Sequence, residues 1–138
     1  MPVMEWSDAL VLDVAAMDDT HREFVAMLNA LADTPDGALL AALDRFIAHT
    51  ETHFEQENRW MRSLPFPPIH CHVGEHENVL KILQEVRERA LGGQPEIVRV
   101  LAQELPEWFR THASTMDAAL AHVIKATGFQ PERAPATA

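Results

Sequence analysis

The stretch LLAALDRFIAHTETHFEQENRWMRSL, Leu39 to Leu64, carries the clearest periodicity in the chain. Leu39, Leu43, Phe46, His49, His53, Glu57, Trp60 and Leu64 recur at steps of three and four, the inner stripe of a bundle helix. Two histidines and a glutamate interrupt that stripe where a core helix should be apolar. Pro65, Pro67 and Pro68 then end the helix.

Working outward, three more segments show the same period. A first helix is expected from the capping-type residues Asp18, Asp19 and Thr20 to Leu31, with His21, Phe24, Val25, Leu28 and Leu31 on one face. Thr34-Pro35-Asp36-Gly37 reads as a loop. A third helix carries Ile69, His72, His76, Val79 or Leu80, Leu83 and Val86, and Gly92-Gly93 closes it. The fourth follows Pro95, with Val98, Leu101, Leu105, Trp108, His112, Met116, Leu120 and Val123 in step. Pro106 lies inside it and is expected to kink it or split off its first turns. Residues 1–17 lack a sustained period and read as an extended N-terminal arm that lays Trp6 on the body. Gly128 reads as a helix stop, and 129–138 as a loose tail. The expectation is all-α: a single domain over 1–138, folded as an antiparallel up-down-up-down four-helix bundle.

Composition narrows the partners. The 138 residues suit one domain with its own core. A net charge of -10 argues against nucleic acid and against anionic membrane surfaces, which attract basic proteins. No apolar run approaches the roughly 20 residues that span a bilayer, so no membrane insertion is expected. Cys71 is the only cysteine, which excludes an internal disulfide and a thiolate metal cage. The first dozen residues carry Glu5 and Asp8 and do not read as a signal peptide. The expected location is cytoplasmic.

All four stripes are interrupted by metal-ligand residue types: His21, then His53 and Glu57, then His72 and His76, then His112 and Asp117. A lone histidine on such a face is more often a hydrogen-bonded core residue. A core cannot hold this many unpaired polar groups, and an ionised carboxylate on the inner stripe needs a cation. The economical account is a metal centre built from facing helices. His53/Glu57 and His72/His76 are four apart, so each pair aims at one region. His112 and Asp117 are five apart and diverge by about 140° on a regular α-helix. Either they straddle the site or a local irregularity unites them. Five imidazole nitrogens and two bridging carboxylates fall short of filling two octahedral ions, and a shared oxo or hydroxo bridge still leaves one position open. Zinc suits the ligand types but prefers closed tetrahedral sites.

The run Trp6…Met17-Asp18-x-Thr20-His21, His53-Phe54-x-x-Glu57-x₃-Met61, His72-x₃-His76 and Trp108-Phe109-x-x-His112-x₄-Asp117 resembles the hemerythrins, in their bacterial branch. The resemblance implies two non-haem Fe ions with an oxo or hydroxo bridge. His72, His76 and His112 would hold one, His21 and His53 the other, and Glu57 and Asp117 would bridge them. It implies reversible O₂ binding at the iron with two histidines: an oxygen carrier, store or delivery protein, not an enzyme. An oxygen-consuming partner protein would then receive the gas. The alternative is a di-iron enzyme or sensor module acting on O₂, peroxide or nitric oxide. The Glu-x-x-His pairs of ferritin-like oxidases do not occur here.

Of the remaining histidines, His70 and His122 fall off the inner stripes and are expected at the surface. His49 lies on the stripe one turn before His53. It is either a packing residue or a group that orients a carboxylate or water and tunes the metals from outside.

Overall fold

A computed structural model of the chain describes residues 2–133, and every regular element among them is helical. The long helices are α1 (Ala15–Ala32), α2 (Leu39–Arg62), α3 (Ile69–Leu91) and α4 (Ile97–His112). A π-helical turn (Ala113–Asp117) follows, leading into α5 (Ala118–Thr127). The π turn and α5 continue α4, so these make four helical columns. α1 packs on α2 and α4, and α3 packs on the same two, as in an antiparallel four-helix bundle.

Most stripe residues face inward as their period requires, but in the fourth column Trp108, Met116 and Val123 are half-buried while Phe109, Asp117 and Ile124 are buried. Phe24, Leu28, Leu43, Phe46, Leu83, Val98, Leu105 and Phe109 join one apolar cluster, and Met17, Trp60, Met61, Leu120 and Ile124 join a second. Phe66, in the proline-rich link after α2, belongs to the second cluster too. Its burial had no periodic signal, because it lies in a loop.

Three expectations are corrected and one, the seating of Trp6, is met. First, the arm is shorter than 1–17. It holds a 3-10 turn (Asp8–Leu10), and α1 begins at Ala15. Asp18 is therefore inside the helix rather than at its cap. Its carboxylate accepts from the N–H groups of Leu12 and Asp13 at 2.8 and 3.1 Å, steadying a turn in which Asp13 takes a left-handed φ of 59°. Second, Trp6 does lie against the body, packed on the main apolar cluster. Trp6 is half-buried with Arg22 over its ring, and Asn29 bonds the backbone of Val3 and Met4 through both ends of its amide.

Third, Pro106 does not split the fourth helix, which is continuous from Ile97 to His112. Pro106 is buried in that helix, whose neighbouring Leu105 and Phe109 belong to the main apolar cluster. Fourth, the tail is not loose throughout. After Gly128 ends α5 in a left-handed conformation, Trp60 Nε1–H donates to the carbonyl of Glu132 at 3.0 Å. Arg133 pairs with both carboxylate oxygens of Glu23 at 2.8 and 2.9 Å. Residues 134–138 lie outside the described part.

Candidate metal centre

His21 from α1, His53 and Glu57 from α2, His72 and His76 from α3, and His112 and Asp117 at either edge of the π turn meet inside the bundle. All seven are buried, none more than 3 % exposed. His70, His122 and Cys71 are exposed and do not belong to this cluster.

The π turn resolves the awkward spacing of His112 and Asp117. An i→i+5 turn is wider than an α-turn, so residues five apart return to one side. His112 Nε2 lies 3.2 Å from Asp117 Oδ1 as a result. The hydroxyls of Ser114 and Thr115 both donate to the carbonyl of Thr111, at 3.3 and 2.6 Å, where the helical bonding pattern changes.

Each carboxylate divides its oxygens between two sets of histidines. Glu57 Oε2 lies 3.2 Å from His21 Nε2 and 3.0 Å from His53 Nε2. Glu57 Oε1 lies 3.4 Å from His72 Nε2 and 3.3 Å from His76 Nε2. Asp117 Oδ2 faces His21 Nε2 at 3.2 Å, while Oδ1 faces His72 and His112 at 3.0 and 3.2 Å. The atoms able to ligate a metal accordingly form two groups, one of His21, His53 and Glu57 and one of Glu57, His72, His76, His112 and Asp117.

Hydrogen bonding does not account for this arrangement. The Nε2 atoms of His72, His76 and His112, with Glu57 Oε1 and both Asp117 oxygens, are buried and have no hydrogen-bond partner among the described residues. Buried polar atoms are rarely orphaned, and six in one cluster point to a missing partner. Donors at right angles and about 2.1 Å from a shared cation lie about 3.0 Å apart. The observed separations fit that requirement, so the residues fit a pair of metal ions.

The charges agree. Burial alone would neutralise Glu57 and Asp117, but the facing histidines hold both carboxyls well below their usual range. Burial also opposes charge on His21 and His72, yet the carboxylates outweigh it and raise them to about 10 and about 9. At His53 burial wins, and its pKa is lowered. Without metal, protons on His21 and His72 stand in for the cations that the carboxylates demand.

Aromatic rings wall the cluster. Phe54 stacks on His76 with centroids 4.1 Å apart, Trp108 stacks on His112 at 4.7 Å, and Phe109 meets His21 edge-on at 5.1 Å. Two groups behind the rings escaped the sequence reading. Asn58 Oδ1 accepts from His76 Nδ1–H, and Glu75 Oε1 accepts from His112 Nδ1–H, each at 2.8 Å. Their only signal was adjacency to Glu57 and His76. His49 is half-buried: its ring lies 6.3 Å from that of His53, and its Nε2 is 3.2 Å from Glu23. The carboxylate it meets is thus Glu23, not Glu57 or Asp117.

Comparison with known proteins gives the same answer. The family profile of the hemerythrin HHE cation binding domain matches residues 12–124. The chain is 52% identical over 117 residues to the bacteriohemerythrin of Ralstonia nicotianae, covering 85% of each chain. It is 31% identical over 114 residues to that of Aquifex aeolicus, covering 78% of this chain and 87% of the relative. With that of Stenotrophomonas maltophilia it shares 29% over 130 residues, covering 91% and 84%. A cation-binding family profile and a buried pair of metal-ligand groups converge on one conclusion: this chain belongs to the hemerythrin family.

Proposed function

We propose that this protein binds O₂ reversibly at a pair of non-haem iron ions bridged by an oxo or hydroxo group. In this reading His72, His76 and His112 hold one ion, His21 and His53 the other, and Glu57 and Asp117 bridge them. One observation carries it: both buried carboxylates turn one oxygen to each set of histidines. A pair of iron ions, when bound, supplies the electrons that O₂ takes up on binding and returns on release.

The protein's own groups set the conditions for that exchange. The set with His21 and His53 has fewer protein donors than the other, which leaves more room there for a small ligand. Phe24 and Phe109 pack against those two rings and exclude water, with centroids at 5.9 Å for Phe24 and His53 and 5.1 Å for Phe109 and His21. Both carboxylates are turned onto histidines and the surrounding rings are apolar. That favours release of the gas unchanged over a reaction consuming protons, so a carrier or store is preferred to an enzyme. His49, whose ring lies edge-on to that of His53 at 6.3 Å, tunes the pair from outside without holding a metal. The single exposed Cys71 suits a reducing compartment, the cytoplasm, where an oxygen-consuming protein would be the recipient.

Metal analysis with absorption spectroscopy tests the reading. The purified protein should carry two irons per chain, lose its colour on reduction, colour in air and bleach again when O₂ is removed. One metal per chain, or zinc in cells supplied with iron, would overturn it.

A further inference from the structure

The five clustered histidines differ on the side that faces away from the cluster. His76 Nδ1–H donates to neutral Asn58, and His112 Nδ1–H donates to the carboxylate of Glu75, both at 2.8 Å. The Nδ1 atoms of His21, His53 and His72 are buried and have no partner among the described residues. Among the described residues, hydrogen bonding to the outer ring nitrogens is therefore confined to one of the two sets, and only one of its bonds is to a carboxylate. Glu75 reaches His112 from α3, three residues after His72 and one before His76, with its side chain 30 % exposed.

We propose that Glu75 is a positioning residue that sets the electronic asymmetry of the metal pair. Its bond fixes His112 as the tautomer with a proton on Nδ1 and a free lone pair on Nε2, the atom that faces Asp117. An anion at Nδ1–H also pushes electron density through the ring to Nε2, strengthening it as a donor. That gain is larger for a metal of higher charge, so the set containing His112 favours the more oxidised state. Asn58 orients His76 in the same way without adding charge.

This inference rests on His112 being a metal ligand, as proposed above, and its test separates the two ideas. Glu75→Gln keeps an acceptor for the Nδ1–H and deletes the charge, while Asn58→Asp places a charge behind His76. The reduction potential of the iron-loaded protein and the cobalt(II) affinity of the metal-free protein are measured for both variants. Glu75→Gln should keep two irons, raise the potential and weaken one of the two cobalt sites by about 10–100-fold. Asn58→Asp should lower the potential. If Glu75→Gln matches wild type in potential and cobalt affinity, the proposal fails. A fall in thermal stability of metal-free Glu75→Gln with neither quantity moved would make Glu75 only a tie between α3 and α4. Wild type that takes up fewer than two metals would overturn the functional reading itself, and this inference with it.

Discussion

Glu57 shows what one side chain does for the centre. It is 1 % exposed, and its two oxygens serve histidines from three helices, α1, α2 and α3. Replacing it with the isosteric amide keeps the volume but removes the charge that offsets the cations and gives one arm a donor where an acceptor is needed. Glu57→Gln should therefore purify folded, with iron lost or unevenly bound, whereas His70→Ala and His122→Ala keep full iron. Metal content by mass spectrometry decides it, and full iron with an unchanged spectrum in Glu57→Gln would remove its bridging role. Six of the seven clustered residues were legible in the sequence because each breaks an apolar stripe, whereas Asp117 lay off its stripe and entered through the resemblance. Asn58 and Glu75 were not, because half-buried polar residues beside a stripe look like ordinary surface until the partner across the helix gap is known.

At the scale of elements, the fourth column carries the unusual feature. Its α-helical run gives way at Ala113 to a π turn, then resumes at Ala118. Such turns are rare and cluster at functional sites, because the wider loop of backbone is less stable than the α-helix it replaces. Here it aligns His112 with Asp117. Residues 113–117 should accordingly exchange their amide hydrogens faster than the flanking α4 and α5 in the metal-free protein, and slow markedly when both ions are bound. Hydrogen-exchange mass spectrometry on the two forms measures this, and equal protection in both would mean that the turn does not depend on the centre. The histidine–aspartate spacing left two outcomes open, a straddled site or a local irregularity, and the π turn is the second. Pro106, which promised one, produced no break, since local propensity yields to packing in a buried helix.

For the whole molecule, the centre makes stability depend on pH and metal together. In the metal-free protein His21 and His72 are raised to about 10 and about 9 from 6.5. Groups raised on folding contribute fully below their unfolded pKa, and that contribution is lost as pH rises through the folded values. Glu57 and Asp117 are lowered, so their contribution is present above the ordinary carboxylate range and lost on acidification. His53, lowered by burial, adds to the acid-side loss. Metal-free protein should thus be most stable between about pH 5 and pH 6.5 and weaken from there towards pH 10. Bound metal replaces those protons and should remove most of the alkaline loss. Urea midpoints at pH 6, 8 and 10 for both forms check this. A metal-free midpoint that does not fall between pH 8 and 10 would contradict it.

The sequence by itself determined the helical columns, their inward faces and the membership of the cluster, because period, proline stops and interrupted stripes are local properties of the chain. It also placed His70 and His122 outside and ended α5 at Gly128. Only the tertiary structure decided how the carboxylate oxygens divide between the two histidine sets, that a π turn joins His112 to Asp117, and that Asn58 and Glu75 stand behind two of the rings. It also moved the start of α1 back to Ala15 and tied residues 132 and 133 to Trp60 and Glu23. These depend on which side chains meet across gaps between helices. A residue's own position on its helix says which way it faces, not which atom will face it.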